Sequence, residues 1–150
     1  MIDYLDPWHP SYGKIGLFNN RIGEDFSAVS IVTPAFDMYL NEFELQDGVY
    51  LPAETDINIT HPNPQAVYST GLSSFQVLNN DNYLICSGRF GYSVELTPDN
   101  EVVWEYKTPR NEPAPATQGD TLAINNNLTF RLNRLPVSYT HLTLPTICSV

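Results

Sequence analysis

Few side chains in this 150-residue sequence have the chemistry to catalyse a reaction. Before the C-terminal stretch the candidates are the two histidines, His9 and His61, and two of the five arginines, Arg21 and Arg89. An imidazole has an unperturbed pKa of about 6.5, so it is mostly neutral near pH 7 and can act as a nucleophile. A guanidinium presents a fixed fork that matches two oxygens of an oxyanion at once. The pair therefore suits transfer of an anionic group.

Spacing alone leaves a second interpretation open for each of these residues. His9 lies between Trp8 and Pro10, as in a stiff loop, and a surface or capping histidine fits equally. Arg21 follows the end of an apolar strand, where a solvated turn arginine is the alternative. Arg89 lies in a glycine-rich turn and can be structural. His61 is in the loop Thr60-His61-Pro62-Asn63-Pro64, where a loop histidine is the simpler interpretation.

Other catalytic and metal-binding patterns are missing from the sequence. There is no glycine-rich phosphate loop, no serine nucleophile elbow and no CxxC pair. The aspartates Asp56, Asp81, Asp99 and Asp120 do not have calcium-loop spacing. Cys86 lies in an apolar strand pattern and fits a small buried side chain. We therefore expect no metal and no cofactor.

Composition excludes several partners. The net charge is -10, and only seven basic residues are present, scattered along the chain. A phosphate backbone attracts clustered Lys and Arg, so nucleic acid is excluded as the main partner. No apolar run is long enough to span a bilayer. The first residues have neither a basic region nor an apolar core, so we expect no signal peptide there.

The last residues differ from the rest of the sequence. All 24 charged residues precede Leu135. The string Pro136–Thr146 matches a translated transposase-type sequencing adaptor codon by codon, against the alternative of a genuine Ser/Thr-rich strand. We therefore expect 136–150, including His141 and Cys148, to be a non-native tail, and the native protein to continue beyond Arg134.

The remaining chain has the pattern of a repeated β-meander. Four short strands are predicted within Ser74–Tyr106, separated by turns rich in Asn, Asp, Gly and Pro. A divergent repeat is predicted over Lys14–Leu45, with its fourth strand at Tyr39–Leu45, and a third unit begins at Leu122. Pro-rich loops at 47–65 and 108–119 connect them. Trp104 and Tyr106 share one strand face and are predicted to be core between units.

A four-stranded meander of this size is typical of one blade of a β-propeller. The fold class predicted is therefore all-β, an incomplete propeller of two to three four-stranded antiparallel blades over residues 1–135. Blades bury their faces against neighbours, and the ring must close to hide the last ones. An unclosed piece is expected to associate with itself through its open faces.

The residues of this repeat resemble one enzyme family. Asn82–Gly91, Val94–Asp99 and Val102–Tyr106 look like the blade signature of bacterial arylsulfotransferases, as does the stretch from His9 through Lys14–Asn20 to Arg21. The resemblance covers residues 6 to 134. It departs from the family pattern in a shorter spacing from His9 to Phe18, in Asn19 where the family usually has Asp, and in its incomplete histidine set.

The resemblance implies an enzyme of the periplasm or cell surface that moves a sulfuryl group from a phenolic sulfate ester to another phenol. In the family a histidine takes up the sulfuryl group, and further histidines and an arginine hold its oxygens. By the match, His9 and Arg21 are the catalytic positions, with His61 and Arg89 as weaker substrate-binding candidates. The alternative is a non-catalytic propeller of the same ancestry that serves as a surface binding or scaffold module. A quinone-dependent propeller lacks support, because no repeated Trp-docking signature is present.

Overall fold

The computed structural model describes residues 2–4, 12–22 and 24–135, with the backbone alone at 2–4. His9 and the predicted tail 136–150 lie outside the described residues. The described chain is all-β: several small antiparallel sheets, two short 3-10 helices at Pro64–Val67 and Gly88–Phe90, and no α-helix in the described parts. The described residues include no helix with the length and apolarity needed to cross a membrane.

Two four-stranded sheets account for most of the fold, and each is a meander whose strands pair in chain order. The first sheet consists of Ile2–Tyr4, Ile15–Asn19, Ala28–Val32 and Ile57–Ile59. The second sheet consists of Ser73–Val77, Tyr83–Ser87, Tyr92–Leu96 and Val102–Lys107.

The second sheet confirms the four strands predicted from the sequence. Its turns contain the residues that tolerate left-handed backbone: Asp81 and Asn100 have φ of 65°, and Gly91 has φ of 52°. Its second strand is buried along its whole length, whereas its fourth strand is exposed throughout. Trp104 and Tyr106 are 37% and 44% exposed, so their predicted burial is wrong for the described chain, because no described segment covers that strand completely.

The first sheet corrects one predicted strand. Its fourth strand is Ile57–Ile59, which pairs with the third strand through Val29↔Ile59. The segment predicted to be that strand, Tyr39–Leu45, belongs instead to an insertion that we call the arm, residues 33–56. The arm forms two short hairpins of its own. Their strands are Phe36–Asp37 with Glu42–Phe43 and Leu45–Gln46 with Val49–Tyr50.

One apolar core joins the two sheets. Phe18, Val29, Ile31 and Ile59 of the first sheet pack with Val67 and with residues of the second sheet. The partners from the second sheet are Phe75, Tyr83, Ile85, Val94 and Leu96. Burying each large apolar side chain contributes about 1.5–3 kcal/mol, so this contact is the main source of stability. Gly16 is required here, because a side-chain carbon there would lie 2.6 Å from the ring of Phe75.

The opposite face of the second sheet is covered by the end of the described chain. Cys86 Sγ approaches the carbonyl oxygen of Thr129 at 3.7 Å. The side chain of Gln76 exchanges two hydrogen bonds, of 3.1 and 2.8 Å, with the backbone of Arg134. Arg134 also forms an ion pair with Glu95. The third unit predicted from Leu122 forms no strand in residues 116–135, which instead run across this face. The connection 108–119 contains one small hairpin, Arg110–Asn111 with Ala114–Pro115.

Candidate functional site

Hydrogen bonds bring the Arg21 and Arg89 turns to one end of the two sheets, which we call the arginine end. Each arginine lies in the hairpin between the second and third strands of its own sheet. Loop 68–72, which leads into the second sheet, joins the two hairpins. Ser27 Oγ accepts from the Arg21 amide at 3.1 Å and donates to the Ser69 carbonyl at 3.2 Å.

The same loop also contacts the Arg89 turn. Ser87 Oγ donates a 3.1 Å hydrogen bond to the carbonyl of Tyr68. A side-chain carbon placed on Gly71 would lie 3.8 Å from Arg89 Nε. At Gly88 a side chain would collide with the carbonyl oxygens of Leu72 and Thr129, so only glycine allows this approach. The two arginine turns are therefore parts of one packed unit.

Neither Arg21 nor Arg89 is paired with a carboxylate among the described residues. Arg21 is exposed, and its guanidinium has no hydrogen bond or ion pair within the described parts of the chain. Arg89 donates from Nη1 to Asn125 Oδ1 at 3.0 Å, which fixes the side chain. Its Nε is buried without a described partner. A buried donor without an acceptor costs about 1–3 kcal/mol. Because this Nε has almost no accessible surface, a ligand oxygen reaches it only if the side chain moves.

Backbone strain is concentrated at the same end. Among the residues that the structure describes, seven non-glycine residues have positive φ, and five of them are Asn or Asp, which tolerate it. The two exceptions are Arg21 at 56° and Leu72 at 57°. Each belongs to the arginine end, one in the hairpin and one in the bridging loop. Strained backbone of this kind costs of the order of 1–3 kcal/mol and clusters at functional sites.

A third cation lies beside the Arg89 turn. Lys107 Nζ is 5.9 Å from the ring centroids of Phe90 and Tyr92. Loss of hydration lowers the pKa of Lys107, although the aromatic faces favour its charged form. The sequence analysis did not single out Lys107. The hairpin pairing could have indicated it, since Lys107 ends the fourth strand and lies opposite Tyr92.

Within the part of the chain that the structure describes, no hydrogen bond links His61 to Arg21 or Arg89. Its Nδ1 accepts a 2.9 Å hydrogen bond from the Asn63 amide, and its Nε2 lies 3.4 Å from the Tyr92 hydroxyl. Tyr92 in turn donates to Glu105 Oε2 at 2.9 Å. Desolvation, together with this carboxylate, raises the pKa of Tyr92, so the hydroxyl stays protonated as a donor. His61 is therefore held in a chain of hydrogen bonds that includes Tyr92 on the third strand and Glu105 on the fourth strand of the second sheet.

The arginine end therefore combines two arginine turns with Lys107 beside one of them, and cationic donors of this kind pair with oxyanions. It needs no metal for this chemistry, and the described residues contain no group of three metal-ligating side chains close together. Comparison of the chain with protein-family models, with curated proteins and with solved structures finds no match. His9, the other predicted catalytic residue, lies outside the described residues.

Proposed function

We propose that residues 1–135 are an internal part of an arylsulfotransferase-like β-propeller whose arginine end binds the sulfate group of a phenolic ester. Two successive four-stranded meanders, packed on one another and connected from the last strand of the first to the first strand of the second, support the propeller interpretation. The chain end that runs over the free face of the second sheet lies where a next blade would pack. The resemblance of the blade residues to this family supports the activity.

The observation that carries the proposal is the hydrogen bonding of the two arginine side chains. Arg21 has an uncommitted guanidinium, and Arg89 has a buried Nε without an acceptor among the described residues. A sulfate ester offers three oxygens, which suits two guanidinium groups better than a single one. Fixed donors of this kind are also suited to stabilising charge that develops during transfer.

The proposed reaction transfers a sulfuryl group in two steps. The imidazole of His9 attacks sulfur, and the bond from sulfur to the phenolic oxygen breaks, releasing the first phenol as its phenolate. The oxygen of a second phenol then attacks the sulfur of the sulfohistidine, the bond from nitrogen to sulfur breaks, and the proton of this phenol passes through water to the released phenolate. The new ester leaves, and the neutral imidazole of His9 is regenerated. Arg21 and Arg89 hold the sulfuryl oxygens through both steps. The family resemblance implies that the reaction takes place in the periplasm or at the cell surface.

A non-catalytic binding module is the second candidate. It is favoured by His61, the one histidine of the described residues, whose two ring nitrogens already face Asn63 and Tyr92. A histidine engaged in this way stabilises a loop and its neighbouring sheet. On this interpretation the arginine end binds an anionic ligand without transferring a group.

Transfer from a chromogenic aryl sulfate to a second phenol tests the proposal, in the full-length protein with a closed ring. Arg21→Lys and Arg89→Lys keep the charge but lose paired donors, and each should lower kcat/KM about 10- to 1,000-fold. Arg131→Lys is the matched control and should leave transfer unchanged. His9→Gln should abolish transfer, whereas His61→Gln should have a smaller effect. Melting temperatures verify folding.

Three outcomes separate the candidates. Activity that depends on His9 and both arginines supports the transferase. Binding of an aryl sulfate that depends on both arginines, without any transfer, supports the binding module. Activity that is indifferent to Arg21 and Arg89 would show that the sulfate is held elsewhere.

A further inference from the structure

The arm exposes more apolar surface than any other described part of the chain. Eight large apolar side chains in it are at least 42% exposed, and Tyr39 is completely exposed. They are distributed over the strands of both hairpins and the tip of the first: Phe36, Met38, Tyr39, Leu40, Phe43, Leu45, Val49 and Tyr50. A concentration of exposed apolar residues on a short segment is typical of an interaction surface.

The hairpins of the arm are ordered by internal contacts. The Ala35 carbonyl accepts a 2.8 Å hydrogen bond from the Glu44 amide, and the Glu44 carbonyl accepts a 3.0 Å hydrogen bond from the Leu51 amide. The rings of Phe36, Phe43 and Tyr50 form an edge-to-face series with centroid distances of 5.1 and 6.4 Å. The aromatic surface is therefore presented in a defined shape.

Below this series lies a cleft of about 340 Å³. Its lining is apolar and comes partly from the arm and partly from the end of the first sheet: Ile15, Val32, Pro34, Phe43, Tyr50, Leu51 and Pro52. This volume suits one large apolar side chain with its immediate neighbours. The exposed residues reach beyond the cleft to Tyr39, so a small molecule in the cleft would leave most of them uncovered.

The charge of the arm determines which partner fits. The arm contains six carboxylates and no basic residue. Asp56 is neutralised by Lys14 at 3.1 Å, and hydrogen bonds from Thr33 and Lys14 lower its pKa. Glu42, Glu44, Asp47 and Glu54 have no cationic partner among the described residues. A second copy of the arm, an anionic lipid surface or a nucleic acid would be repelled.

We propose that the arm is a docking surface for a protein segment that places one large apolar side chain in the cleft and flanks it with lysine or arginine. The apolar side chain supplies the anchor of the interface. The basic flanks pair with the four uncompensated carboxylates and set the orientation of the segment. The arm leaves the first sheet beside Ile15 and Val32, at the end opposite Arg21, so docking does not involve the sulfate site proposed above.

Fluorescence anisotropy with a labelled lysine–leucine peptide containing one tryptophan tests this docking. Two comparison peptides replace lysine by glutamate, or leucine and tryptophan by serine. The chain should bind the first peptide at least about 10-fold more tightly than either comparison peptide. Phe43→Ser with Tyr50→Ser should lower the affinity about 10-fold or more, as should Glu42→Gln with Glu44→Gln and Asp47→Asn.

Matched controls separate the arm from the overall negative charge. Phe130→Ser with Tyr12→Ser removes one exposed phenylalanine and one exposed tyrosine elsewhere. Asp99→Asn with Glu101→Gln and Asp120→Asn removes three carboxylates outside the arm. Both controls should keep at least half of the affinity. Because the Phe43 and Tyr50 replacements could unfold the arm, the charge variant serves as the independent second test.

Several results would overturn the proposal. Equal weakening by the arm variants and their controls would mean that the peptide binds the net charge alone. Arm-dependent self-association in sedimentation would assign the surface to a second copy. Arm-dependent binding to vesicles of zwitterionic lipid, without binding to the peptide, would assign it to a membrane.

Discussion

Equivalent faces of the two four-stranded sheets make different kinds of contact. Ile31 and Glu95 occupy equivalent positions, each the fourth residue of a third strand that pairs with its hairpin partner in the same register. Ile31 is fully buried against the second sheet. Glu95 is 5% exposed and faces the segment 128–135, where it pairs with Arg134. One contact between neighbouring units is apolar, and the next is polar and charged.

This difference shows that the meander is the repeated unit, whereas the chemistry of its faces varies. A buried apolar contact is insensitive to pH and tolerates small shifts of the two surfaces. A buried carboxylate requires each of its hydrogen bonds and its cation. We therefore expect the two contacts to respond differently to substitution and to pH, and the following changes test that expectation.

The largest effect is expected at Gly88, where the second sheet meets both loop 68–72 and the segment 128–135. Gly88→Ala places a carbon against two backbone carbonyls that cannot rotate away. We expect a loss of more than about 5 kcal/mol, comparable to the whole stability of a small domain, so cooperative unfolding in a urea titration should disappear. Gly71→Ala is the control, since its new carbon meets only Arg89 Nε at 3.8 Å. Cooperative unfolding of Gly88→Ala at the midpoint of Gly71→Ala would contradict the packing described here.

A smaller effect is expected from Ile31→Ala in the apolar contact. Removing this fully buried side chain should cost about 2–5 kcal/mol through lost transfer energy and a cavity. The loss should be the same at neutral and at acidic pH, because no titrating group is involved. Val103→Ala, on the exposed fourth strand of the second sheet, is the control and should change stability by about 0.5 kcal/mol or less. A pH-dependent loss of stability for Ile31→Ala would contradict the expected difference between the apolar contact and the contact at Glu95.

The accuracy with which the sequence predicted each sheet depends on the length of the connections between the strands of that sheet. The second sheet has a five-residue turn, 97–101, between its third and fourth strands, so pattern and turn residues pointed to the same strand bounds. The first sheet has the 24-residue arm at the same point. The arm contains segments in which apolar and polar residues alternate, and one of them, Tyr39–Leu45, has the composition of a strand. The exposed hairpins of the arm nevertheless belong to neither four-stranded sheet.

Prediction of the candidate site was limited by long-range contacts. The sequence indicated that Arg21 and Arg89 lie in turns, and both do. It could not indicate that loop 68–72 joins the two turns, since the contacts link residues 42 and 19 positions apart. Burial of the second sheet by residues 128–135 was likewise not predictable, because that segment forms no strand and several of its contacts involve side chains.

The smallest of the three effects is expected from Glu95→Gln, and it should depend on pH. Burial alone would raise the pKa of Glu95, but hydrogen bonds from Asn82, Arg134 and Asn80 outweigh it and lower the pKa. A carboxylate whose pKa is lower in the folded state stabilises the fold above its unfolded value of about 4.3 and loses this contribution as pH falls through the folded value.

As the pH falls from 5 to below the lowered pKa of Glu95, the wild-type chain should therefore lose stability. This loss should exceed the loss of the Glu95→Gln variant over the same range by about 1–3 kcal/mol. Urea titrations of both chains at closely spaced pH values measure the difference. Glu101→Gln is the control, because its side chain is exposed and should leave the wild-type pH profile intact. If Glu95→Gln and the wild type lost stability in parallel, the ion pair with Arg134 would contribute nothing to the contact. The two faces would then be energetically alike despite their different chemistry.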